Sequence, residues 1–211
     1  MDDALSGYVK KLTHMKVEES SLDVYEAWAS SYETTMIGDY GYSAPGIAVS
    51  VLMKCGVKTS HQILDLGGGT GLVGLELVKH GFKFIDGLDF SPKMLQEAAN
   101  KAIYGNLLVA DMTKPINFTD QQYDAAIGVG CFGNGHVGVE HIKNITANVK
   151  SDGIIVLYVN GIPFEEDNYR AQLEDLERRE IWDILLLENS NYMNGRDRPG
   201  WTVAARKLER S

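Results

Sequence analysis

Apolar residues along this chain fall into short blocks, and the blocks alternate between a helical and a strand-like period. Leu22, Tyr25, Trp28, Ala29 and Tyr32 recur every three or four positions, which predicts an amphipathic helix from Leu22 to about Met36. A second helix is expected after Pro45, a residue suited to a first helical turn, with Gly56 closing it beyond Cys55. Short apolar runs follow at Gln62–Leu66, Phe84–Leu88, Asn106–Val109, Tyr123–Gly128 and Gly153–Val159, each the length of a buried strand. Helical patterns at Gly71–His80, Pro92–Ala102 and Val139–Lys150 lie between them. Ser91-Pro92 gives the middle one a cap and a proline at its first position, and Met94, Leu95, Ala98, Ala99 and Ile103 form its apolar face.

Strands separated by helices require crossover connections and hence a mostly parallel sheet, an α/β fold. After Pro163, a charged helix at about Asn168–Arg179 turns Leu173 and Leu176 inward. Trp182–Leu187 and Trp201–Lys207 then read as two closing strands joined by the polar turn region Glu188–Gly200. No repeat or linker interrupts the pattern, so a single domain is expected over residues 1–211. Residues 1–20 form a loose lead-in, and residues 21–56 carry helices over the carboxyl edge of the sheet.

At 211 residues, with 44 % hydrophobic and 23 % charged positions, the chain can bury a sizeable core. Its net charge of −9 argues against non-specific attraction to nucleic acid, which needs clustered Lys and Arg. Cys55 and Cys131 make neither a disulfide framework nor a zinc site, and no metal is expected. The start Met1-Asp2-Asp3 is unlike a signal peptide, and no run approaches the roughly 20 apolar residues of a membrane span. A cytoplasmic or nuclear location follows, with no secretion and with the sequons at Asn117 and Asn144 unused.

The chemistry concentrates at Ile63-Leu64-Asp65-Leu66-Gly67-Gly68-Gly69-Thr70-Gly71-Leu72-Val73-Gly74, a strand, a glycine turn and a helix start within twelve residues. Glycines there let backbone approach a ligand, and the helix start directs unpaired N–H groups at it. Gly69 to Gly74 spells G-x-G-x-x-G, the dinucleotide fingerprint, but that pattern places its first glycine directly after the strand, where Gly67 stands instead. Asp65 would repel a pyrophosphate and favour a cationic ligand. Strand two ends at Asp89, at about the 20-residue distance at which a carboxylate accepts ribose hydroxyls. Strand three ends in Ala110-Asp111-Met112, suited to an adenine amino group beside an apolar side chain. Strand four ends in the small-residue segment Gly128-Val129-Gly130-Cys131-Phe132-Gly133, where backbone can approach a ligand.

Ile63–Gly74, Gly87-Leu88-Asp89-Phe90-Ser91-Pro92-Lys93-Met94-Leu95 and Ala110-Asp111-Met112 resemble, in order and separation, the motifs of the class I S-adenosylmethionine-dependent methyltransferases. Tyr25-Glu26-Ala27-Trp28-Ala29-Ser30-Ser31-Tyr32-Glu33 is similar to a lead helix common in that superfamily, with Glu26 and Glu33 at positions usually held by Asp. Val129-Gly130, Gly135-His136-Val137 and the stretch from Leu176 to Trp182 resemble the subfamily of Williams–Beuren-region methyltransferase-like proteins. The resemblance implies a Rossmann-like seven-stranded sheet with helices on both faces and the last strand antiparallel. It implies S-adenosylmethionine as cofactor and S-adenosylhomocysteine as product. Gly67, Gly69 and Gly71 would line the methionyl part, with Asp65 holding its ammonium indirectly. Asp89 would hold the ribose, Phe90 would lie against the adenine, and Asp111 with Met112 would read the adenine edge. Gly128 and Val129 would approach the methyl donor, and Tyr25, Trp28 and Tyr32 would form a lid.

Methyl transfer from a sulfonium rests on positioning, and no catalytic triad is needed or found. His136 is the candidate general base, should the acceptor be protonated; the alternative is a loop histidine that shapes the pocket. Cys131 reads as a small buried thiol rather than a nucleophile, and His141 as a surface residue. The expected partner is a small-molecule acceptor, with a protein side chain as the lesser alternative, and no nucleic acid and no membrane. Two other classes stay open: a cofactor-binding interaction module without catalysis, and a nicotinamide-dependent oxidoreductase.

Overall fold

Strands β1 (Gln62–Leu66), β2 (Phe84–Asp89), β3 (Leu107–Val109), β4 (Tyr123–Val129), β5 (Val149–Asn160), β6 (Trp182–Asn191) and β7 (Pro199–Lys207) join one sheet. Their spatial order is β3-β2-β1-β4-β5-β7-β6. The first five strands pair in parallel, and β7 runs antiparallel to both β5 and β6. This is the expected seven-stranded, Rossmann-like arrangement. The computed structural model describes residues 7–8, 21–116, 122–133, 136–166, 168–193 and 198–209. Most of the expected lead-in, the sequon at Asn117 and Gly135 lie outside those residues.

Alternation along each strand sorts its residues between two cores, which is why the runs are apolar throughout. Ile63, Ile85, Ala125, Ile127 and Val156 face one core, together with Ala48, Val49, Leu52, Val73 and Leu77. Leu64, Leu66, Leu88, Ala126 and Leu157 face the other, together with Ile142, Ile145, Leu173 and Leu176. Helices α2 (Ala44–Lys54) and α3 (Leu72–Lys79) thus cover one face, and α5 (Ile142–Thr146) and α7 (Tyr169–Arg178) the other. Helix α4 (Pro92–Ala99) starts at Ser91, whose hydroxyl accepts the Met94 N–H, and α6 (Gly161–Glu166) follows β5 directly.

Three elements differ from the periodicity reading. The lead helix is α1 (Leu22–Trp28) only; the chain then tightens to a 3-10 turn at Ala29–Ser31 and widens to a π turn at Thr34–Asp39. Helix α2 lies on the sheet face, not over its carboxyl edge, because its small and branched residues Ala44, Ala48, Val49 and Leu52 are wholly buried there. Val139–Lys150 is not one helix: α5 ends where Asn148 N–H and Nδ2 bond back to Ile145 and Asn144 carbonyls, and β5 begins at Val149, paired with Tyr123. Among the described residues no helix is long and apolar enough to cross a membrane.

The order of the strands places β1 beside both β2 and β4. The chain reverses its direction of growth there, so a crevice opens beyond the carboxyl ends of β1 and β4.

Candidate active site

The loop leaving β1 enters that crevice. Gly67, Gly69 and Gly71 have φ values of 64°, 55° and 98°, a left-handed conformation that costs other residues roughly 1–2 kcal/mol each. The first two differ in what they demand. A Cβ on Gly67 would stand 2.5 Å from the Cys131 Cβ, whereas a Cβ on Gly69 would meet only the Gly67 carbonyl, at 3.8 Å. Gly67 is therefore required by packing, and Gly69 leaves bare backbone along a cavity of about 270 Å³.

Three carboxylates surround this loop. Asp65 is wholly buried; the Tyr104 hydroxyl donates to its Oδ2 at 2.6 Å, and its Oδ1 has no partner among the described residues. Burial pushes its carboxyl up to about 7, against the lowering effect of the Tyr104 bond, with the charge of Asp89 raising it further. Asp89 accepts Gly69 N–H on Oδ2 (2.9 Å) and Ser91 N–H on Oδ1 (2.8 Å). Burial raises its pKa and these backbone bonds counter the rise. A carboxylate has about four acceptor positions, so two stay open to hydroxyls in the cavity. Asp111, partly exposed at the mouth, is partly desolvated, but bonds from Thr113 and Lys114 outweigh this and hold its carboxyl below the usual range.

Aromatic side chains roof the cavity. Tyr25 meets Phe90 edge-on with ring centroids 6.4 Å apart, and its hydroxyl lies 3.3 Å from His136 Nε2. Burial pushes His136 down to about 4, so the imidazole is neutral at neutral pH. Tyr25 and Tyr32 are pushed up by burial and stay neutral phenols. The loop carrying His136 is pinned by Val137 N–H to the Cys131 carbonyl (3.1 Å) and by the Tyr169 hydroxyl to the Val137 carbonyl (3.0 Å). Lys101 ties roof to floor, meeting Glu33 at 2.7 Å and donating to the Thr70 carbonyl.

Of the expected residues, Tyr25, Tyr32, Gly67, Gly69, Asp89, Phe90, Asp111, Met112, Val129 and His136 line this one cavity. Gly71 and Asp65 lie behind it, capping α3 and supporting the loop. Trp28 and Gly128 are corrections. Trp28 is buried in the core behind Tyr25 and Tyr32, because its larger ring packs against theirs and does not reach the cavity. Gly128 makes room for the Phe132 ring rather than for a ligand. Cys131 lines the cavity with Gly130 and Val137, in the small-residue segment already marked by sequence. Its thiol donates to the Leu66 carbonyl at 3.2 Å and burial pushes its pKa up, so it is no nucleophile. Ser21 and Thr113, which also line it, carried no signal in the sequence. Among the described residues no cluster of His, Cys, Asp or Glu is built to hold a metal.

An uncovered Gly69 backbone, a buried unpartnered carboxylate oxygen on Asp65 and spare acceptor capacity on Asp89 fit a ligand bearing an ammonium and a diol. S-adenosylmethionine carries both groups.

Residues 63–153 match the model of a methyltransferase domain family. Methyltransferase-like protein 27 from Homo sapiens is 30 % identical over 172 residues, spanning 78 % of this chain and 69 % of that protein. The 18S rRNA (guanine-N(7))-methyltransferase of Bos taurus is 37 % identical over 90 residues, and EEF1A lysine methyltransferase 2 of Mus musculus 31 % identical over 91. The chain spans only 28 % and 37 % of the lengths of those two relatives. The fold is shared with a chain of the solved Haloferax volcanii complex between the Trm112 methyltransferase activator and a methyltransferase. The TM-score there is 0.67 at 17 % identity, covering 88 % of this chain and 98 % of that one. The names of the relatives correct one expectation. RNA and protein are acceptors among similar proteins, against the expected small molecule with nucleic acid excluded.

Proposed function

This chain belongs to the class I S-adenosylmethionine-dependent methyltransferases, and from that premise we propose that it transfers the methyl group to an amine on a protein side chain. Charge carries this reading. The chain bears a net −9, and the lysines beside cavity-lining residues are already paired: Lys93 with Glu26, Lys101 with Glu33, Lys114 with Asp111. An RNA acceptor needs free cations to replace the counterions of its phosphates. A lysine-bearing basic segment is drawn instead to a surplus of carboxylates. EEF1A lysine methyltransferase 2, among the relatives, is named for such an acceptor.

In this reading Gly67 and Gly69 carry the methionyl part of the cofactor, with Gly71 turning the loop into α3 behind them and Asp65 beneath the ammonium. Asp89 takes the ribose hydroxyls, Phe90 and Met112 flank the adenine, and Asp111 accepts its amino group. When bound, S-adenosylmethionine supplies an electrophilic methyl group on a good leaving sulfur. The protein's work is positioning, which can lower a barrier by roughly 7–11 kcal/mol. Tyr25 and Tyr32 keep water from the reacting atoms, and Trp28 backs them from the core. The acceptor amine reacts as the free base and leaves as the methylammonium, so no proton need move in the step. His136, held neutral by burial, helps aim the nitrogen lone pair, and Tyr25 orients its ring.

Incubation of cell lysate with isotopically labelled S-adenosylmethionine, followed by separate analysis of protein and RNA, tests this. Label on lysine side chains is expected; label confined to RNA would replace the reading with a base-methylating one. Cofactor binding is checked alongside by melting. S-adenosylhomocysteine at about 100 times its Kd should stabilise by ~2.7 kcal/mol, or roughly 5–10 °C. A shift with NADH instead would reject the family's cofactor.

A further inference from the structure

The loop between α4 and β3 sends one side chain under the glycine turn. Tyr104 occupies a hollow that exists because four residues around it, Gly68, Gly71, Gly74 and Gly87, have no side chain. A Cβ on Gly74 would lie 2.6 Å from the Tyr104 hydroxyl, one on Gly87 3.1 Å from its ring, and one on Gly71 3.4 Å from it. The ring ends at Asp65, to which it donates the 2.6 Å bond, a short separation of the kind a charged acceptor makes. Among the described residues that leaves Oδ1 as the oxygen of the buried carboxylate without a partner. We propose that Tyr104 is a positioning residue for the cofactor: its hydroxyl locks the Asp65 carboxylate beneath the glycine loop, so that Oδ1 is presented to the cofactor's ammonium.

The proposal rests on the reading that Asp65 serves that ammonium. The surroundings explain why a lock is needed. Asp89 at the end of β2 repels the Asp65 charge, and Cys131 from the loop after β4 brings only a neutral thiol. Lys101 is occupied by Glu33 and the Thr70 carbonyl. Burial favours the protonated acid; the Tyr104 O–H is the side-chain donor that favours the carboxylate, and the Gly74 N–H adds a smaller backbone contribution in the same direction. Gly74 and Gly87 thereby gain a role that their distance from the cavity hides.

Tyr104→Phe keeps the ring and removes the donor. Carbon-13 NMR of the Asp65 carboxyl in the cofactor-free protein should show its titration midpoint moved up by about one pH unit. Calorimetry with S-adenosylhomocysteine should show affinity lowered roughly tenfold at pH 6.5 and less than threefold at pH 8.5, since the carboxylate re-forms in base. A midpoint that stays in place, or a loss of affinity equal at both pH values, overturns the proposal. Replacing Tyr104 alone with 3-fluorotyrosine, a stronger donor, should move the midpoint the other way and does not depend on the phenylalanine variant folding. Asp65→Asn separates the two layers. If it leaves S-adenosylhomocysteine affinity unchanged, the assignment of Asp65 to the ammonium fails, whereas the NMR titration judges the Tyr104 lock by itself.

Discussion

The floor of the cavity is backbone and carboxylate at the ends of neighbouring strands, whereas its roof is aromatic side chains drawn from segments far apart in the chain. Asp65, Gly67, Gly69, Asp89 and Asp111 all stand within a few residues of the ends of β1, β2 and β3. Tyr25, Tyr32 and His136 come from the lead segment and from the loop after β4, more than a hundred residues away in the case of Tyr25 and His136. A floor built this way is polar and set by strand ends, and in the proposed reading it is the methyl donor's seat. A roof built by packing can change its acceptor without disturbing the donor's seat.

The largest effect is expected where floor and roof touch. Gly67→Ala forces a side chain into a left-handed backbone and against Cys131, two costs that together reach about 2–5 kcal/mol. Gly69→Ala has the same backbone cost, about 1–2 kcal/mol, and no clash. Chemical denaturation should therefore show Gly67→Ala severely destabilised and Gly69→Ala mildly so, while Gly69→Ala alone keeps a folded chain that no longer binds S-adenosylhomocysteine. Equal destabilisation of the two would erase the distinction between a glycine for packing and a glycine for ligand.

Next in size is Asp65→Asn. An acid whose folded-state pKa is raised from 3.8 to about 7 costs stability that grows as pH rises through that window and is complete above it. Removing the charge should stabilise the cofactor-free protein at pH 8 by about 2–3 kcal/mol, roughly 5–10 °C in Tm, with the gain fading toward pH 4. Cofactor affinity should fall in the same variant, a site that trades stability for binding. A lower Tm at pH 8 would show that the buried charge is compensated by something other than Tyr104.

These floor residues were readable in the sequence because each is local to an element end that periodicity already marks. Asp89 follows an apolar run and precedes a capped helix, so its position needs no knowledge of the fold beyond strand order. The roof was read less well. Trp28 shares a helical face with Tyr25 by spacing and stacks beside it, yet its larger ring is buried in the core against Tyr25 and Tyr32 and does not reach the cavity. Tyr104 gave no periodic signal at all. Its meaning depends on Gly74 and Gly87 from two other elements, which meet only when β1 and β2 pair. Nucleic acid was excluded from net charge alone, which describes the whole surface; the pairing of Lys93, Lys101 and Lys114 beside the cavity, the local charge that bears on the acceptor, appears only in the fold.

His136 supplies a contrast of sign with Asp65, at a smaller magnitude. A histidine held neutral, with its pKa down to about 4 from 6.5, contributes stability that is complete above pH 6.5 and is lost as pH falls toward 4. Because it faces a cavity, about 1–2 kcal/mol is expected by pH 5. Melting curves from pH 8 to pH 5 should thus fall less steeply for His136→Asn than for the natural protein, and more steeply for Asp65→Asn. Parallel slopes for all three proteins would mean that neither group titrates with the folded state.

The smallest effect belongs to Tyr25→Phe, and it is the one that best divides roof from floor. The variant keeps the ring contacts with Phe90, Trp28 and Tyr32 and loses only the hydroxyl beside His136. Loss of one neutral hydrogen bond is worth about 0.5–1.5 kcal/mol, so stability should hardly move. If the hydroxyl orients His136 toward the acceptor, kcat should drop about 3- to 10-fold while the Kd for S-adenosylhomocysteine changes less than twofold. The opposite result, a weakened cofactor with kcat intact, would make Tyr25 part of the donor's seat. The boundary between a fixed floor and an adaptable roof would then run through the lead helix instead of beneath it.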